Sequence, residues 1–131
     1  MASSGSVERI DYVELLVSEI SRSKDFYGRA FGWTFQDYGP DYCEFNDGRL
    51  KGGFAQQVAP AEAGSAGAGP GAAGSRAGPL VVLLAGDLEA ARDRVEAAGG
   101  TIVKRIFEFP GGRRFHFADP DGYELAVWSD R

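Results

Sequence analysis

One order of elements occurs twice in this chain, and any fold has to accommodate both copies. In the first, Ile10-Asp-Tyr-Val-Glu-Leu-Leu-Val17 alternates as a strand does, and Ser23 to Phe31 places apolar residues at helical spacing, with Ser21 as helix cap and Gly32 as stop. Three short strands are predicted next, Trp33 to Tyr38, Tyr42 to Asn46 and Gly52 to Gln57, parted by turns at Gly39-Pro40-Asp41 and Asn46-Asp47-Gly48. The second copy begins with a strand from Leu80 to Ala85. A helix follows, capped by Asp87, running through Ala98 and stopped by Gly99-Gly100. Strands at Thr101 to Phe109, Arg113 to Ala118 and Tyr123 to Ser129 complete it. Ile20 and Leu88 match at the same spacing as Gly32 and Gly100. The pattern is α+β: two βαβββ modules, residues 7–57 and 80–129, within one domain spanning 7–129.

Residues 58–79 join the modules and consist almost wholly of Ala, Gly, Ser and Pro. No large apolar side chain there offsets the entropy of ordering the backbone, so the segment is expected to be a flexible linker. Its length makes module pairing geometrically possible within one chain or by exchange across a dimer.

At 131 residues the chain is one domain long, and a homodimer interface would help to bury apolar surface. No apolar run reaches the roughly 20 residues that cross a bilayer, and Met1 to Ser6 lacks the features of a secretion signal, so no membrane association and a cytoplasmic location are expected. A net charge of -5, with basic residues scattered apart from Arg113 and Arg114, argues against nucleic acid as a partner. Cys43 is alone, which excludes a disulfide within the chain and a thiolate metal site; a small buried filler on a strand is its expected role.

The most distinctive local segment runs from Phe109 to Trp128. Arg114 and His116, the one histidine, alternate with Phe115 and Phe117, the period of a strand with one polar and one apolar face. Asp119-Pro-Asp-Gly122 then turns the chain, Asp119 accepting from backbone amides ahead of it and Gly122 taking a left-handed conformation. Together with the doubled module and the Ser-x-x-Phe-Tyr-x-x-x-Phe-Gly run at Ser23 to Gly32, this segment resembles the vicinal oxygen chelate superfamily, which includes glyoxalase I, bleomycin- and fosfomycin-resistance proteins and extradiol dioxygenases. The resemblance covers Val7 to Trp128 apart from the linker. It implies open, curved mixed sheets around a cavity, with helices on the outer face.

Many members of that superfamily hold a divalent metal in the cavity. The matching ligand positions here are Tyr12 on the first strand, Leu80 on the strand opening the second half, Ala126 on the last strand, and Phe54 or Gln56 on the fourth. Leu and Ala have no donor atom and a neutral Tyr binds divalent metals poorly, so neither metal nor other cofactor is expected. Glu14, Glu124 and His116 could assemble a different centre.

Strand alternation puts Tyr12 and Glu14 on one face, Glu124 and Trp128 beside Ala126, and Arg114 with His116 on the neighbouring strand. The candidate catalytic residues are His116 and Glu14; the candidate ligand-binding residues are Tyr12, Gln56, Arg114, Glu124 and Trp128. Glu14 needs a cation or donor, which Arg114 or His116 could supply. Three functions compete. The first is metal-free binding of a small molecule, cationic if Glu14 and Glu124 pair with it and anionic if Arg114 does. The second is a metal-free isomerase, lyase or epimerase in which Glu14 or His116 abstracts a proton beside a carbonyl and Arg114 steadies the enolate. The third is a metal-dependent lactoylglutathione lyase or dioxygenase.

Overall fold

A computed structural model of the chain describes residues 8–57 and 76–131. The elements are β1 (Tyr12–Val17), α1 (Ile20–Phe31), β2 (Thr34–Asp37), β3 (Tyr42–Asn46), β4 (Lys51–Gln56), β5 (Arg76–Leu84), α2 (Leu88–Ala97), β6 (Thr101–Phe109), β7 (Gly112–Ala118) and β8 (Tyr123–Ser129). They form two open four-stranded mixed sheets in the orders β1-β4-β3-β2 and β5-β8-β7-β6, so the βαβββ module occurs twice as expected. In each sheet the first strand pairs parallel with the last, and the other pairs are antiparallel. Neither helix is long and apolar enough to cross a membrane.

Two boundaries correct the sequence reading. The helix begins at Ile20, three residues before the predicted start, and Ser21 does not cap it; Glu19 occupies the cap position and makes no side-chain bond there. The helix start is instead satisfied from elsewhere in the fold. Gln56 Oε1 accepts from the Ile20 amide at 3.2 Å, and Gln56 Nε2 donates to the Ser18 carbonyl at 2.6 Å. The predicted linker also ends early, because β5 starts at Arg76, with Arg76 opposite Tyr123 and a register shift before Val81. Pro79 is tolerated because β5 is the outermost strand of its sheet, where a missing amide donor breaks no ladder. The remainder of the linker lies outside the described residues. Asp87 caps α2 as predicted, accepting from the Ala90 amide at 3.0 Å, and Gly32 ends α1 with φ 74°.

The alternating apolar faces of both sheets meet the helices in one core. Val17, Cys43, Phe54, Phe115, Phe117 and Val127 contribute from the strands, and Phe26, Tyr27, Leu88 and Val95 from the helices, all essentially inaccessible to water. Phe26 lies 5.9 Å from Phe117, a contact between the two modules, and Trp33 stacks on Tyr27 at 4.5 Å and on Phe45 at 4.7 Å. Each such side chain contributes about 1.5–3 kcal/mol by burial.

Polar groups fasten the same seam. The buried Tyr27 hydroxyl donates to Asp119 at 2.8 Å. Asp121, with no exposed surface, accepts from the Ser18 amide at 2.9 Å and from Arg22 at 3.3 Å. The Tyr123 hydroxyl donates to the Leu16 carbonyl at 2.8 Å. These bonds bring the outer edge of β1 towards the second sheet and so define the gap that holds the site.

Candidate functional site

β1 and β5 are the outermost strands of their sheets, and a cavity of about 810 Å³ lies between them. Its apolar lining comes from Ile10, Val13, Leu15, Pro79, Leu80 and Val81, and its polar lining includes Glu14, His116 and Glu124. Three sequence-predicted residues therefore share one cavity, although they come from β1, β7 and β8.

His116 stands opposite Ala126 in the β7–β8 ladder and is 3% exposed. Its Nδ1 lies 2.7 Å from Glu124 Oε2, and its Nε2 is buried with no hydrogen-bond partner among the described residues. A carboxylate at Nδ1 holds the proton there in the neutral ring, which leaves Nε2 as a lone-pair acceptor.

Glu14 is not met by Arg114 or His116, which corrects the sequence reading. Its partner is Tyr42 on β3, whose hydroxyl donates to Glu14 Oε1 at 2.8 Å, while Tyr12 and Tyr42 approach oxygen to oxygen at 2.6 Å. Because Tyr42 gives its proton to Glu14, the Tyr12 hydroxyl donates to Tyr42, and the chain of bonds runs Tyr12 to Tyr42 to Glu14. Loss of solvation, followed by the bonds to Tyr12 and to the Glu14 carboxylate, pushes the Tyr42 phenol far above its ordinary range. Gly53 makes this possible, since a Cβ there would collide with the Tyr42 hydroxyl and crowd that of Tyr12. Sequence reading missed Tyr42 because its alignment with Glu14 depends on β4 lying between β1 and β3.

The remaining candidates lie elsewhere. Arg114 sits over the rings of Phe107 and Phe109, at 5.5 and 5.6 Å from their centroids, and does not line the cavity. Trp128 meets the Phe109 ring edge at 6.2 Å and lines a second cavity of about 700 Å³ with Phe31, Trp33 and Arg49. Gln56 is engaged at the start of α1.

Residues 9–127 match the family model of the Glyoxalase/Bleomycin resistance protein/Dioxygenase superfamily. The chain belongs to this superfamily. The anthracycline biosynthesis protein DauV of Streptomyces sp. (strain C5) is 35% identical over 117 residues, covering 84% of this chain and 42% of DauV. The chain thus spans less than half the length of that relative. Among solved structures, the fosfomycin resistance protein FosX of Listeria monocytogenes superposes with TM-score 0.73 at 13% identity, covering 95% of this chain and 94% of FosX. TioX of Micromonospora sp. ML1 gives 0.69 at 20% identity, covering 95% and 100%. These two share the fold.

The positions that the resemblance matched to metal ligands hold side chains poorly suited to a metal. Tyr12 is bonded to Tyr42, Gln56 to the helix start, Phe54 lies in the core, and Leu80 and Ala126 offer no donor atom. Among the described residues no three His, Cys, Asp or Glu side chains are grouped to hold an ion, so Glu14, His116 and Glu124 share a cavity without forming a metal cluster.

Proposed function

We propose that this protein binds a small organic molecule in the cavity between β1 and β5 and does so without a divalent metal. The observation that carries this reading is His116, buried, anchored to Glu124 and left with an unpartnered Nε2, in the wall of a largely apolar cavity. Buried polar atoms are nearly always satisfied, and a pocket with an apolar wall and a few convergent polar groups is the usual form of a small-molecule site. The similarity to a protein of anthracycline biosynthesis makes intermediates of such pathways the first ligands to screen. The reading includes a homodimer, supported by Leu16, Val82 and Leu84, which are 44%, 43% and 64% exposed. The test is elemental analysis followed by thermal-shift titration with zinc, nickel, manganese, magnesium and ferrous iron, and then with the ligand set. Stabilisation by an organic ligand and by no metal is expected. A stoichiometric metal, or metal stabilisation lost in Glu14→Gln, would overturn the metal-free part.

The same dyad supports a second reading, a metal-free isomerase, lyase or epimerase. Nε2 would take a proton from carbon beside a carbonyl while Glu124 stabilises the imidazolium that forms. Arg114 is withdrawn from the role of steadying the enolate by its place over Phe107 and Phe109. His116→Asn should abolish turnover while ligand binding is weakened but not lost; full turnover in that variant would exclude the dyad as the base.

A further inference from the structure

We propose that the cavity selects a protonated amine borne on an apolar body, an inference that rests on the small-molecule reading above and names its ligand class. The polar atoms that Glu14, His116 and Glu124 direct to ligands are acceptors. Glu14 has Oε1 occupied by the Tyr42 hydroxyl and Oε2 available. Glu124 has Oε2 occupied by His116 Nδ1 and its other oxygen available. His116 Nε2 is a buried acceptor that no donor among the described residues reaches. Tyr123, at the same wall, gives its hydroxyl proton to the Leu16 carbonyl. Among the described residues that line the cavity there is no lysine or arginine.

An ammonium group has donors only and a charge opposite to that of the two carboxylates, so it suits a cavity whose described polar lining offers acceptors. A carboxylate or phosphate would be repelled by Glu14 and Glu124. A neutral hydroxyl could satisfy Nε2 but would forgo the charge interaction. Val13, Leu15, Pro79, Leu80 and Val81 provide an apolar wall for the rest of the molecule.

Tyr42 is a positioning residue in this arrangement. Glu14 is exposed and would otherwise sample several rotamers, and the bond from Tyr42, itself bonded to Tyr12, restricts its carboxylate. Gly53 clears the space in which the two phenols meet. The charge on the ligand, left open by the sequence, is thus assigned by where the tertiary structure puts Arg114 and Tyr42.

The experiment is an NMR titration of the ¹⁵N-labelled full chain, near neutral pH and at low salt, with 1-naphthylmethylamine, its neutral counterpart 1-naphthylmethanol and the anion 1-naphthoate. The amine should bind about tenfold more tightly than the alcohol, the advantage of a hydrogen bond to a charged group, and the naphthoate most weakly. Glu14→Gln should narrow the gap between amine and alcohol, leaving the part that Glu124 supplies. Tyr42→Phe should remove part of the preference while the spectrum stays that of the folded chain. An alcohol that binds as tightly as the amine would overturn the ammonium proposal and leave the cavity reading standing. If no probe shifts the amides of Glu14, His116 and Glu124, the cavity reading fails and the proposal falls with it.

Discussion

The two aspartates of the Asp119-Pro-Asp-Gly turn send their carboxylates to different partners. Asp119 accepts from the amides of Asp121 and Tyr123, at 2.9 and 3.0 Å, which is the turn chemistry expected of it, and then from the buried Tyr27 hydroxyl. Burial outweighs these bonds and pushes its carboxyl up to about 6. The folded state therefore holds this proton more tightly than the unfolded chain, whose carboxyl titrates near about 3.9. The resulting stabilisation is complete below the unfolded value and is lost as pH rises through the folded one. Asp119→Asn keeps a neutral group at the site, so its stability relative to wild type should rise by about 2–3 kcal/mol between pH about 4 and pH about 7. Urea unfolding at several pH values checks this, and parallel curves for the two proteins would refute it. At this scale alternation grouped Glu14 with Tyr12 and His116 with Arg114 from the sequence. It did not assign partners, because a partner such as Tyr42 is chosen by strand register across an intervening strand.

Element boundaries show the same division. The second helix is capped by a local residue, Asp87, and was legible; the first is completed by Gln56, which sits 36 positions away in sequence, and was misread by three residues. The position that the superfamily alignment offered as a weak metal ligand thus serves the helix start. Gln56→Ala should cost about 1 kcal/mol in urea unfolding, the usual loss for a helix cap, while affinity for 1-naphthylmethylamine stays at the wild-type value. A fall in affinity without a fall in stability would place Gln56 in the ligand site after all. The extension of β5 back to Arg76 has a related cause. Arg-Ala-Gly-Pro has little strand propensity, and the free edge of β8 imposes the strand on it.

At the scale of the whole molecule, the modules are repeats in sequence but share one core. Phe26 and Phe31 of the first lie 5.9 and 5.8 Å from Phe117 of the second, and Tyr27, Ser18 and Arg22 hydrogen-bond to its turn. A shared core predicts one cooperative transition in urea by fluorescence and circular dichroism alike. Phe117→Ala should lower stability by about 3–5 kcal/mol, still in one transition. Two separated transitions in the wild-type chain would mean that the halves fold as independent units.

The doubled βαβββ order, the superfamily and the faces of the strands were determined by the sequence alone, because periodicity, turn residues and short motifs are properties of neighbouring positions. That Leu80 and Ala126 carry no donor atom was equally plain, since side-chain chemistry needs no coordinates. What only the tertiary structure decided was the company each polar group keeps: Glu14 with Tyr42, His116 with Glu124, Arg114 over two phenylalanine rings, and Gln56 at the start of a helix. Those pairings depend on strand register and on the packing of one module against the other, and no local pattern in the chain encodes a distance between segments that meet only after folding.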